Sequence, residues 1–308
     1  MEIWEEKIKY YNKPTQKKLI KKGTIAIDIV ETTPIVWKDK LYRFEWFRKR
    51  VNDKFVFEEG FYQFVDMENG ECSKPFANGY VFGSAYCEND TMYVMGTNAW
   101  GGNKIDLFIS KDLVSYDKRN ALTFPEGYTV YNTSLCKGKD EYIMAIEIGK
   151  PEEIAGKPFT IIFAHSKDMY NWQLFDVNRY IHTPERYSAC PVIRFVDDYY
   201  YMIYLEEMPM YKFVPYIARS KDLQSFEIAP VNPVLFYSDE DRILNGNFTK
   251  EEIEQINCAL NTNNSDVDLC EFDGKTIILY SWGNQMGKEF LALAEYDGTM
   301  KEFFESFF

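Results

Sequence analysis

From Gly23 onward the chain repeats one rhythm: a short apolar run, a tight turn rich in Asp, Gly or Lys, a second run led by an aromatic or Ile, and a third. Runs of four to eight residues bounded by turn formers predict strands rather than helices. Five such units can be cut. The first has Pro34–Trp37, a turn at 38–40, Leu41–Phe47 and Phe61–Val65; the second Gly83–Cys87, Met92–Thr97 and Ile105–Ile109. The third has Thr133–Cys136, Tyr142–Ile148 and Phe159–His165; the fourth Cys190–Phe195, Tyr199–Leu205 and Tyr216–Arg219; the fifth Val267–Phe272, Thr276–Ser281 and Phe290–Ala294. Second runs begin near Tyr42, Tyr93, Tyr142, Tyr200 and Ile277, at steps of 51, 49, 58 and 77 residues. The last step is long because residues 235–265 form a polar insertion. Within it Thr249 and Glu252 are spaced as a capping box, and Ile253, Ile256 and Leu260 then share one helical face.

A motif marks the same period. Ser-Lys-Asp occurs at 110–112, 166–168 and 220–222, each time with an aromatic six positions after the serine: Tyr116, Trp172 and Phe226. Serine and aspartate close turns by bonding back to the backbone, so these copies are expected to be scaffold, on turns between outer strands. In their place unit one has Asp66 to Gly70 and unit five Glu295 to Gly298. Repeats of three or four antiparallel strands at this period predict an all-β, five-bladed β-propeller with one helical insertion before the last blade. The whole of 1–308 is expected to form one domain, with residues 1–22 as an N-terminal arm.

Composition narrows the partners. A net charge of −13 argues against nucleic acid, whose phosphates need clustered Lys and Arg. No apolar run approaches membrane-spanning length. The first residues show no basic stretch followed by an apolar core, so no signal peptide is visible and a cytoplasmic location is expected. Six cysteines lack any Cys-x-x-Cys pair, and three recur in similar surroundings, at Cys87, Cys136 and Cys190. Small buried thiols on equivalent strands are expected. With two histidines at no ligand spacing, neither a zinc site nor any cofactor is expected.

Candidate chemistry follows from propeller geometry. The first strand of each unit lines the axis, and its start shares an edge with the end of the second strand. Those positions from all units therefore ring one mouth. Glu147 and Glu206 finish apolar strands, where burial raises a carboxyl pKa toward acid catalysis. Asp266 and Glu31 stand at first-strand starts as partner carboxylates, and Asp268 shares a side with Asp266 by period two. Asn132 and Asn284 supply further polar lining. Trp100 and Trp282, each beside Gly and Asn, are platforms for a sugar ring or else packing between blades. His182 can donate to a substrate oxygen, and Arg43 can hold a substrate carboxylate or pair with a glutamate.

The unit, with Ser-Lys-Asp-Leu-x-x-aromatic leading into its outer strand, resembles the five-bladed propeller glycoside hydrolases of the family 43 and family 32 type, over about residues 24–298. That resemblance implies two-carboxylate hydrolysis of arabinose-, xylose- or fructose-containing glycans, with a base in blade one and an acid in a later blade. The chain departs from the pattern at three places. Glu31-Thr-Thr-Pro34 stands for Asp-Pro, Ala189-Cys190-Pro191 for Glu-Gly-Pro, and Ser84 for an aspartate in blade two. The expectation is a glycoside hydrolase acting on a small neutral oligosaccharide through a carboxylate pair; the alternative is a carbohydrate-binding propeller without catalysis.

Overall fold

The computed structural model describes residues 18–52 and 54–308. Its strands form five antiparallel sheets, the blades of a propeller. Blade one comprises β2 (Thr33–Trp37), β3 (Lys40–Val51) and β4 (Lys54–Asp66); blade two, β5 (Val81–Glu88), β6 (Thr91–Thr97), β7 (Lys104–Ser110) and β8 (Asp117–Thr123). Blade three has β9 (Thr129–Lys137), β10 (Tyr142–Lys150), β11 (Thr160–Ser166), β12 (Gln173–Leu174) and β13 (Ile181–His182). Blade four has β14 (Ser188–Val196), β15 (Tyr199–Met208), β16 (Lys212–Ser220) and β17 (Glu227–Ile228). Blade five has β18 (Asn263–Phe272), β19 (Lys275–Gly283) and β20 (Phe290–Tyr296), completed on its outside by β1 (Leu19–Ile27). Residues 19–22, assigned to an arm by sequence, thus belong to the strand that closes the ring; the remainder of the arm, 1–17, lies outside the described residues. Short helices α1 (Glu152–Ala155), α2 (Lys250–Cys258) and α3 (Met300–Glu305) decorate the blades.

Middle strands are packed on both faces by neighbouring blades, which is why they read as unbroken apolar runs: all seven residues from Ile143 to Gly149 are buried, with only Glu147 charged. Four of the seams between blades are large apolar clusters, such as Phe44, Phe64, Val94 and Phe108 between blades one and two. Each such side chain stabilises by roughly 1.5–3 kcal/mol. The seam between blades five and one is small, with Ile29, Leu279 and Leu291 at its centre. There an ion pair adds to the closure: Arg50 donates to Asp28 at 2.5 and 2.8 Å and to the Gly287 carbonyl.

The three Ser-Lys-Asp copies fold alike. The Ser110 hydroxyl accepts from the amides of Asp112 and Leu113, and the Asp112 carboxylate accepts from those of Val114 and Ser115. The next residue, Leu113, Met169 or Leu223, turns left-handed and is buried. In blade one Asp66 accepts from the amides of Glu68 and Asn69 in the same manner.

Two expectations are corrected. The insertion helix α2 has the Thr249–Glu252 capping box and buries Ile256, but Ile253 is only half-buried and Leu260 is exposed, because the helix stops at Cys258 and Ala259 is extended. The equivalent inner-strand thiols are Cys87, Cys136 and Cys270, which line a cavity of about 360 Å³ at the far end of the axis. Cys190 instead sits at the start of its strand.

Candidate active site

Each inner strand enters the axis through an irregularity. Register shifts fall between Val81 and Ser84, Ala189 and Val192, and Ser265 and Asp268. One non-glycine residue near each of four entries is left-handed: Glu31 (φ 47°), Phe82 (φ 52°), Cys190 (φ 48°) and Asp266 (φ 49°). A bulge adds a residue and re-aims side chains, so strands that would show one side to the axis present Glu31, Cys190 and Asp266 to a single pocket. That pocket, about 30 Å³, is also lined by Thr33, Ser84, Asn132 and Asp268.

Cys190 is at its centre. Its amide donates to Glu147 Oε2 at 2.7 Å, and its thiol donates to Asp266 Oδ1 at 3.1 Å. Asn132 Nδ2 donates to the same Glu147 oxygen at 3.0 Å. Burial pushes the Glu147 carboxyl up to about 7, against the pull of these two donors. Asp266 also accepts from the hydroxyls of Ser265 (2.6 Å) and Ser281 (2.9 Å). Its carboxylate is therefore an acceptor for three donors from two blades.

Glu31 is half-buried at the entry to blade one, with Oε2 making no hydrogen bond. Burial pushes it up to about 8, offset by the Arg48 guanidinium and reinforced by Asp266, Glu147 and Glu289. Glu289 belongs to the same electrostatic group and was not anticipated. Its Oε1 accepts from the amides of Asn284 and Gln285, and burial pushes it up to about 7. A Cβ at Gly283 would lie 2.6 Å from this carboxylate, so the close approach requires glycine there. The signal was present: Glu289 immediately precedes an apolar strand, as Glu147 ends one. Third-strand starts share the mouth edge with second-strand ends, so the rule that picks out Glu147 reaches Glu289 as well.

Of the remaining candidates, only Asp268 lines this pocket. Glu206 is fully buried at the end of β15, in register with Ser188 and Val214 beside Tyr204, behind the pocket lining rather than on it. Asp268 accepts from Arg194 at 2.5 Å; Arg194 also donates to the carbonyls of Ile193 and Leu269. This pair stands on the axis between the mouth and the thiol-lined cavity, and the bulge before Asp268 breaks the period-two count from Asp266. Arg43 pairs with Glu45 at 2.6 Å within blade one, away from the pocket. His182 is buried between Tyr204 and Phe226, and burial holds its pKa down at about 3, so it is a neutral core residue. Trp282 is fully buried, stacks on Phe290 and donates to the Thr24 hydroxyl. Asn284 caps the loop that carries Glu289, accepting from the Met286 amide. Trp100 is 53% exposed at the mouth edge beside Phe57 and Phe82.

No family model and no curated protein matches the sequence. Among solved structures the fold is similar to that of a glycoside hydrolase (TM-score 0.65, 14% identity, 97% of this chain and 96% of the other). It is also similar to a thermostable family-43 glycoside hydrolase (TM-score 0.61, 10% identity, 88% and 91%). A third is the family-32 β-fructofuranosidase of Bombyx mori (TM-score 0.57, 12% identity, 95% of this chain and 65% of the other). At these identities the likeness is one of fold: the five-bladed propeller shared by these hydrolases.

Proposed function

We propose that this chain is a glycoside hydrolase that cleaves a neutral oligosaccharide with Glu147 as general acid and Asp266 as base or nucleophile. The observation that carries the reading is the meeting of Glu147 and Asp266, from blades three and five, on the two polar groups of Cys190. Glycosidic cleavage needs one carboxyl that carries a proton near neutral pH and one carboxylate that accepts or attacks. Glu147, pushed up to about 7, meets the first need. Asp266, turned toward donors on every side, meets the second. As the leaving oxygen departs it takes the Glu147 proton, while Asp266 takes a proton from the attacking water or forms the bond to the sugar carbon itself. Glu31 lines the same pocket, with the Arg48 guanidinium behind it, and holds the sugar hydroxyls.

A second reading, a carbohydrate-binding propeller without turnover, is favoured by one observation. The Cys190 thiol occupies the gap between the two carboxylates, and the remaining pocket is about 30 Å³. Incubation with aryl arabinosides, xylosides and fructose-containing oligosaccharides separates the two. Release of product by the wild type and its loss in Glu147→Gln support the hydrolase; binding without product supports the alternative. All six thiols are free, which supports a reducing, cytoplasmic location.

A further inference from the structure

We propose that the mouth carries an extended platform for a chain of several neutral sugars: a crescent of six rings, Phe57, Trp100, Tyr131, Phe159, Tyr187 and Phe213. It runs across blades one to four and ends beside the carboxylates. The rings follow one another at centroid separations of 5.0, 6.3, 4.8, 5.8 and 5.3 Å. All are at the mouth edge. Phe57 stands on the part of the β3–β4 hairpin that projects beyond β2, and Trp100 is in the β6–β7 loop. Tyr131 precedes Asn132, Phe159 opens into β11, Tyr187 leads into β14, and Phe213 is the second residue of β16. Tyr187 is close enough to Cys190, Glu147 and Asp266 to feel their charges.

Packing between blades accounts for only part of this row: Phe57 and Tyr131 rest against the seam of blades one and two, yet both keep exposed surface. The seams below are sealed by rings with no exposure, among them Phe44, Trp46 and Tyr62. The crescent rings are half-buried, and Trp100 is exposed, so they leave apolar surface at the rim whose covering is favourable. They also lie on one side only. Among the described residues blade five contributes no exposed ring: its loop carries Asn284, Gln285 and Lys288 around the exposed Met286, while its tryptophan, Trp282, is buried. A ligand with flat apolar faces and polar edges fits between the two sides, and a sugar ring has that form. Carboxylates at the pocket disfavour an acidic chain. Arg50, a nearby cation, is already held by Asp28 and the Gly287 carbonyl.

The identity of the ligand as a glycan rests on the hydrolase reading, and the test keeps the two apart. Titration calorimetry on Glu147→Gln would use unbranched xylose-, arabinose- and fructose-based ladders of two to six sugars. The expected result is affinity that rises with length up to at least the fourth sugar in one ladder. Trp100→Ala should weaken the long ligands about 3- to 10-fold and leave the disaccharide unchanged. Trp100→Phe should restore most of the loss. Equal affinity at every length, no binding by any ladder, or an unaffected Trp100→Ala overturns the crescent. Failure of the hydrolase reading looks different: wild-type protein would then bind long chains more tightly yet release no sugar. Turnover with a kcat/KM independent of chain length would keep the hydrolase and remove the crescent.

Discussion

The mouth of the propeller and its outer turns both display carboxylates set by the repeat, and they are treated in opposite ways. At the turns, Asp112, Asp168 and Asp222 each accept two backbone amides and a serine hydroxyl while remaining close to solvent. Those bonds favour the charged form: amide donors hold Asp168 down at about 2. At the mouth, Glu147 and Glu289 are buried and Glu31 is half-buried, all with fewer donors, and loss of solvent pushes Glu31, Glu147 and Glu289 up to about 8, 7 and 7. The same residue class is thus a structural clip where donors are plentiful and a proton carrier where they are scarce. Hydrogen bonding and desolvation, rather than position in the repeat, set the difference.

The largest test of this contrast is on turnover. Glu147→Gln and Asp266→Asn should each lower kcat/KM by about 10²–10⁴-fold with an unchanged fold by circular dichroism, whereas Asp112→Asn should leave kcat/KM within about threefold. A turn variant as inactive as the mouth variants would erase the distinction.

Asp241 combines the two environments, being fully buried yet well supplied with donors. It accepts from Lys21 at 2.6 Å, Tyr280 at 2.7 Å and Asn261 at 2.8 Å, tying the insertion to β1 and β19. Asp241→Ala leaves Lys21 buried without its counter-charge, held only by the Phe236 carbonyl, Ser238 and Asn264, and should cost about 3–5 kcal/mol in denaturant unfolding. A loss below about 1 kcal/mol would mean that donors matter less here than the contrast requires.

Stability against pH should separate the groups by sign. Glu147 has a folded pKa of about 7, above the ordinary 4.5, so its contribution is present below pH 4.5 and is lost as pH rises toward 7. Glu147→Gln should therefore gain on the wild type across that window. Asp168, at about 2 against 3.8, contributes above pH 3.8 and loses that contribution as pH falls through 2. Asp168→Asn should trail the wild type at pH 6 and converge with it near pH 2. Urea midpoints at a series of pH values decide, and parallel curves for both variants would refute the assignment. In turnover, kcat/KM should fall as pH rises above about 7, where Glu147 gives up its proton.

The smallest effect concerns Cys190, whose φ of 48° suits glycine. Cys190→Gly keeps the amide that holds Glu147 but removes the thiol from between the carboxylates. It should change Tm by less than about 4 °C, since relief of backbone strain offsets lost contacts. It should also lower KM for bulkier aryl glycosides. An unchanged KM would show that the thiol does not limit the space at the mouth.

The sequence by itself determined the propeller. Apolar runs at a period near 50 residues need neighbours on both faces, and the Ser-Lys-Asp turns carry their own hydrogen-bonding partners within six residues, so local chemistry suffices to specify them. Glu147 was legible for a related reason: a carboxylate that ends a wholly apolar strand has nowhere polar to go. Only the tertiary structure decided the rest. That Glu147 reaches the pocket-lining Asn132 and Cys190 while Glu206 lies beside Tyr204 depends on which side of its blade the strand end leaves, and nothing near either residue records that. Trp100 and Trp282 occupy similar Gly- and Asn-flanked sequences, yet one is exposed and the other stacked in the core, because Trp282 lies within β19, paired with Phe290 and bonded to Thr24 of β1, while Trp100 stands in the loop after β6. Bulges set the remaining choices. A one-residue shift in register before Asp268 or around Cys190 re-aims a side chain from wall to axis, and that shift is fixed by strands 15–80 residues away in the chain.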